Sequence, residues 1–312
     1  MNFRINQILD KQIWNNFLNK TNDSTIFSNI HYLDSLNIPY NLYLINQDNQ
    51  ECLAGICVLE SNDKMYPVSY PFTPYSGILF SKEIENLSKH KKNSLKFKVT
   101  EFIIDSLLQI YGNFETSFST NFFDLRPFQW YNYGGDKTFQ IKIRYTGILD
   151  LENFNLDTYL KQIRTVRRQE YKKCKGEYEI TENIDSFINL YKQTFKRQEI
   201  SLDDSHLKMV RDIVNNALIN NYGFLSQSKI DGKIASMNLF IYDNDSAYYL
   251  FGANNPDYRN TGASTFLMIK SIKLISEMGL KKIDFIGINS PNRGDFKLSF
   301  NPKIFQYHEV KI

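Results

Sequence analysis

The chain has 312 residues, 42% of them hydrophobic, and 37 Lys and Arg against 34 Asp and Glu give it a net charge of +3. That length and apolar content suffice for two ordinary domains, each with its own core. No stretch approaches the roughly 18 consecutive apolar residues of a membrane span, and the opening residues Met1 to Gln7 lack the apolar run of a secretory signal, which points to the cytoplasm.

The three cysteines (Cys52, Cys57, Cys174) form no CxxC or paired framework, and the four histidines (His31, His90, His206, His308) show no ligand spacing. Neither a disulfide scaffold nor a metal centre is expected. Lys11 to Leu18 and Ile30 to Leu36 read as helices, and Tyr40 to Asn46 as a strand pairing across Asp48 to Gln50 with Cys52 to Leu59. The aromatic and proline-rich run Tyr66 to Gly77 and the polar segment Ser81 to Leu95 follow. Phe97 to Gly112 reads as a helix, because Thr100, Ile103, Ile104, Leu107, Leu108 and Tyr111 form one stripe and Gly112 suits a left-handed C-cap. A strand, Phe114 to Phe118, comes next.

In the second half Asp157 to Lys173, Ile184 to Lys196 and Asp204 to Asn220 have helical periodicity and lie between the repeated runs, and the first copy opens similarly with its own two helices. The Asp-Gly pair at 231–232 predicts a hairpin leading into the strand Ile234 to Ile241, and the aromatic run Tyr248 to Phe251 follows. Ala263 to Met278 reads as an amphipathic helix ended by Gly279. Leu280 to Gly287 reads as a strand buried on both faces, and Arg293 to Phe300 as a loop entering a final strand pair.

Leu53 to Phe118 and Ile234 to Phe285 follow one plan: strand, aromatic run, loop, helix ended by glycine, strand. Ser81 to Leu95 is an insertion in the first copy. A repeat this long indicates duplicated domains, not a solenoid. We expect domains at 1–150 and 151–312 in an α/β (α+β) architecture of two mixed sheets flanked by helices.

At this point the chain resembles the GNAT-type N-acyltransferases, and in its tandem plan the Fem-type peptidyltransferases and the BioF2/CelD-like acetyltransferases. The resemblance spans nearly the whole chain. It is carried by Tyr248 to Ala253, Ile283 to Gly287 and Gly294 to Phe300, which are similar to that group's tyrosine-rich strand, its Asp-Phe-x-Gly strand and its Gly-x-Phe-Lys-x-x-Phe ending. Asp124 to Trp130, with Tyr145 and Thr146, is similar to a segment of the acetyltransferase-like members.

The residues between the aromatic run and the next helix, Arg259 to Ser264, sit where unsatisfied N–H groups and the helix dipole attract anions. The resemblance implies that Arg259, Gly262, Ala263 and Ser264 cradle the pyrophosphate of acyl-CoA, Ser264 standing where the family has Gly or Ala. The same residues also read as an ordinary loop with Thr261 capping the helix and Arg259 solvated. The first copy lacks such a loop, which casts its domain as a degenerate copy forming a wall of the acceptor site. Tyr70, Tyr75, Arg126 and Trp130 are its candidate contacts, or else core aromatics and an ion-pair partner.

Lys297 is the first choice for chemistry. The resemblance places a functional lysine of Fem-type enzymes here, and a cation at this point stabilises the oxyanion formed when an amine attacks an acyl carbonyl. The alternative is a buried salt bridge with Asp284 or Asp295. Asp284 and Glu199 are options for the general base, Asp284 equally a structural acceptor, and of Tyr248 and Tyr249 at most one donates to a leaving thiolate.

Between Lys161 and Lys175 seven Lys and Arg face one acid, a local charge of +6. Read as one helix, Lys161, Arg164, Arg168, Lys172 and Lys175 share a stripe, with Tyr159, Ile163 and Val166 turned inward. Arg164, Arg167 and Arg168 are the members expected to reach the acceptor, the distal lysines forming a solvated face. Three functions follow: an acetyl- or acyl-CoA-dependent transferase acting on a small-molecule amine, such as a nucleotide-linked amino sugar; an aminoacyl-tRNA-dependent transferase on a peptidoglycan precursor; or a binding module without catalysis. The oligomeric state is not legible.

Overall fold

The computed structural model describes residues 2–47, 52–61, 64–65 and 72–312. Tyr70, the Asp48 to Gln50 turn and the first part of the Tyr66 to Gly77 run lie outside them. Two compact units emerge: residues 1–144 with Gln306–Ile312, and Tyr145–Phe305.

The first unit begins with strand β1 (Phe3–Ile8), helices α1 (Lys11–Leu18) and α2 (Ile30–Ser35), and the antiparallel strands β2 (Tyr40–Gln47) and β3 (Cys52–Ser61). Asp10 and Asn29 cap the two helices by accepting from the N–H groups of Gln12 and His31. Short strands β4 (Lys64–Met65) and β5 (Leu79–Phe80) both pair with β3. Helices α3 (Lys82–Glu85) and α4 (Lys89–Tyr111), strand β6 (Glu115–Ser117), helix α5 (Arg126–Trp130) and strand β7 (Gln140–Asp150) follow.

Gly112 ends α4 at φ 71°. The helix starts eight residues before the expected Phe97, because the polar segment 81–95 folds as α3 and the first turns of α4. Ile103, Ile104 and Leu107 of α4 pack with Tyr43, Ile45, Ile56 and Val58 of the sheet and with Phe114, Phe118 and Phe128.

Helices α6 (Leu156–Gln162) and α7 (Thr165–Lys173) lead into strand β8 (Glu177–Thr181), helices α8 (Ile184–Lys196) and α9 (Asp204–Ile219), and strands β9 (Gly223–Ile230), β10 (Lys233–Tyr242) and β11 (Ser246–Asn254). Helix α10 (Ala263–Glu277), strand β12 (Lys282–Asp284), helix α11 (Pro291–Leu298) and strand β13 (Lys303–Lys311) complete the chain. The second unit's strands are ordered β7-β12-β11-β10-β9-β8. Asp231 and Gly232, at φ 49° and 73°, form the tight β9/β10 turn. The apolar face of α10 (Met268, Ile269, Ile272, Ile275) packs on Phe224, Phe240, Phe285 and Phe300.

From β1 to β7 and from β8 to β13 the elements run strand, two helices, strands, long helix, strand, short helix, strand, so the duplication holds. As the similar opening of the first copy predicts, α8 and α9 stand opposite α1 and α2, while α6 and α7 have no counterpart. The last strands of the copies are exchanged. The end of β7 (Ile148 to Asp150) pairs with β12 in the second unit, and the end of β13 (Glu309 to Lys311) pairs with β6 in the first.

Three other expectations are corrected. The helix over 157–173 is two helices, broken where Ile163 and Arg164 are extended, so no continuous stripe runs from Lys161 to Lys175. Tyr159 and Ile163 are buried, but Val166 is 43% exposed and α7 buries no residue. The strand over 280–287 keeps regular pairing only at Lys282–Asp284, after which the chain turns, and Arg293 to Phe300 is mostly the helix α11, not a loop.

Candidate functional site

In the second unit the parallel pairing of β11 with β12 stops at Tyr248 and Asp284, while β11 continues to Asn254. The two strands part there, beside a shift in β10/β11 register that leaves Leu250 as the extra residue. Past the last pair, Ile286 and Gly287 take φ values of 45° and 58°. Left-handed backbone is rare for a β-branched residue and clusters at functional sites.

Asp284 holds this turn. It is buried, and its Oδ1 accepts from the Thr146 hydroxyl at 2.5 Å and from the Ile286 N–H at 2.8 Å. The turn directs two carbonyls at one cation: Lys297 donates from Nζ to the oxygens of Ile286 and, at 3.2 Å, Gly287. The same Nζ lies 5.6 Å from the Tyr249 ring centroid. Burial pushes the Lys297 ammonium down to about 8, Arg293 one helical turn away adds to this, and the Asp284 carboxylate opposes it. Asp295 instead takes two hydrogen bonds from Arg164, both at 2.9 Å.

Tyr249 packs on Phe240 and Phe285, its hydroxyl donates to Asn238 Oδ1 at 3.4 Å, and burial raises its pKa. Tyr248 is the core member of the pair: it is 4% exposed and its hydroxyl donates to Asp243. Lys297, Asp284 and Tyr249 are thus brought together. Glu199 is an exposed residue at φ 59° after α8.

The Arg259–Ser264 segment follows a short 3-10 turn and enters α10. Arg259 is exposed, Gly262 and Ala263 are buried, and Ser264 is partly exposed. Gly262 is at φ 77°, and a Cβ there would come within 3.0 Å of the Glu170 backbone oxygen. Thr261 accepts from the Ala263 N–H at 3.3 Å. Among the described residues no acceptor takes the N–H of Gly262, Ser264 or Thr265, so the helix end leaves three donors for an anion. Glu170 also lies here, accepting from Thr265 Oγ1 at 2.5 Å and from Arg167 at 2.6 Å.

Arg168 on α7 reaches the Thr165 hydroxyl at 3.5 Å. In the first unit Tyr75 is a core residue, its ring edge-on to Phe27 and Tyr307. Arg126 pairs with Asp124 at 2.6 Å and lies over the rings of Phe97 and Trp130, the latter 53% exposed. Sequence reasoning missed Asn238 and Thr146 as site residues. The signal for Asn238 was an amide inside the apolar run Ile234 to Ile241, where a polar group needs a partner.

Residues 159–298 match the family model described as the acetyltransferase (GNAT) domain. No curated protein matches the chain in sequence. Among solved structures, FemX superposes with a TM-score of 0.68 at 13% identity, covering 99% of this chain and 97% of its own. The C-terminal domain (DUF2156) assigned to a lysylphosphatidylglycerol synthetase from Agrobacterium fabrum gives 0.59 at 11% identity, covering 96% and 92%. A tandem GNAT protein from the clavulanic acid biosynthesis pathway gives 0.55 at 9% identity, covering 99% and 98%. The chain has the Fem-like tandem GNAT fold that its sequence suggests, and it carries an acyltransferase domain of the GNAT type.

Proposed function

We propose that the second unit transfers an acyl group from acyl-CoA to the amine of a small molecule, an amino sugar or a cell-envelope precursor. The observation that carries this reading is Lys297, a half-buried cation held by two carbonyls of a left-handed turn at the point where β11 and β12 part. Acyl-CoA supplies an activated thioester. Arg259, Gly262, Ala263 and Ser264 hold its pyrophosphate at the α10 N-terminus. The amine nitrogen bonds to the acyl carbon, the carbon–sulfur bond breaks, the amine proton passes to solvent, and Tyr249 or a water protonates the departing CoA thiolate. Lys297 stabilises the charge that builds on the carbonyl oxygen, and Asp284 keeps the turn and the ammonium in place.

The test is a thermal-shift titration with acetyl-CoA, longer acyl-CoAs and CoA, beside an Arg259→Ala control. Stabilisation of about 2.7 kcal/mol at a hundredfold excess over Kd, weakened in the control, supports the reading. No shift with any of them sinks it. The aminoacyl-tRNA reading then takes its place, favoured by the FemX-like fold and the basic α7, and is checked by tRNA binding.

A further inference from the structure

Asn238 lies midway along β10, is 3% exposed, and stands directly across from Gly252 in the β10/β11 register. Its Oδ1 accepts from the Tyr249 hydroxyl, whereas its Nδ2 has no hydrogen-bond partner among the described residues. A buried amide donor left unpaired destabilises the fold that carries it, and an apolar residue of the same shape would not. Its strand neighbours Met237, Leu239, Phe240 and Ile241 are all apolar and buried, so the position is core by location and polar by choice.

Gly252 makes room for the Tyr249 hydroxyl from which this amide accepts. A Cβ there would fall 2.0 Å from Tyr249 Oη and 3.5 Å from Asn238 Oδ1. Three polar groups therefore follow one aromatic side chain: the Lys297 ammonium over the ring, the Tyr249 hydroxyl at its tip, and the Asn238 amide beyond the hydroxyl.

We propose that Asn238 anchors the acyl donor, its free Nδ2–H donating to a carbonyl oxygen of that substrate while Lys297 serves the reacting carbonyl. The inference rests on the acyl-CoA reading of this site and deepens it. The pyrophosphate loop holds one end of the donor, and Asn238 supplies a second contact near the chemistry. The group left over is a donor, so the ligand atom it takes is an acceptor.

The experiment compares wild type, Asn238→Leu and Asn238→Ala for melting temperature without ligand, acetyl-CoA-induced shift, and Kd by calorimetry. Asn238→Leu removes the orphan amide at similar volume, so its ligand-free melting temperature is expected at or above wild type, while acetyl-CoA binds about tenfold more weakly. Asn238→Ala, which adds no branched tip, is expected to show the same loss of affinity. Acetyl-CoA affinity within about twofold of wild type in both variants overturns the proposal and leaves the acyl-CoA reading standing. A wild type that does not bind acetyl-CoA overturns both.

Discussion

Lys297 gives the candidate site a pH signature. Its folded pKa is depressed from 10.5 to about 8, so between those values the unfolded chain binds the proton more tightly than the native one. Stability is therefore lowest below about pH 8 and rises as pH climbs toward 10.5. Relative to Lys297→Met, wild type should gain up to ~3 kcal/mol across that window, read from denaturant melts at several pH values. Activity runs the other way, because oxyanion stabilisation needs the ammonium: kcat is expected to fall as pH rises through about 8. A kcat that rises there instead would identify neutral Lys297 as a base. Lys297→Met should lower kcat more than about tenfold, a loss of about 1.4 kcal/mol, and a smaller drop would remove the oxyanion role. The lysine itself was legible from its motif. Its partners were not, because they are main-chain oxygens of a turn that no side-chain pattern announces.

The helix α11 shows why element type was misread around it. Gly294 looked like a loop glycine, but it is there for close approach: a Cβ would lie 2.5 Å from the Ile288 oxygen. The hairpin at Asp231, the α4 stripe and the α10 stripe were read correctly, since periodicity and turn chemistry are local signals. The break at Ile163 had no such signal, as Arg164 is held by the distant Asp295. Two glycines give predictions at this scale. Gly252→Ala drives a methyl into the Tyr249 hydroxyl, and we expect a loss of about 1–3 kcal/mol by chemical denaturation together with weaker catalysis. Gly262→Ala combines a left-handed backbone with crowding against Glu170 and should cost at least ~1 kcal/mol, with weaker acyl-CoA binding by calorimetry. A Gly262→Ala protein as stable as wild type would mean that the loop relaxes freely.

For the molecule as a whole, the duplication was visible in the sequence as two runs with the same order of strand, aromatic segment, helix and glycine. The exchange of final strands was not, because which sheet a strand joins depends on long-range pairing and not on its own pattern. Val310 is fully buried in the first unit's core, and Lys311 pairs with Glu115 at 3.0 Å. Removing Gln306–Ile312 should therefore unprotect β6 and α4 in hydrogen exchange while the amides of α10 keep their protection. Equal loss in both units would show that they melt as one.

That exchange also sets an order on biosynthesis. The ribosome usually releases N-terminal domains finished, each folding as it emerges. Here the segment that pairs with β6 is made after the whole of the second unit, so the first-synthesised half must wait, with its sheet edge open, while that unit is translated. The second half has all of its strand partners as soon as Phe305 has cleared the exit tunnel, and the half that was translated first becomes the one that closes last.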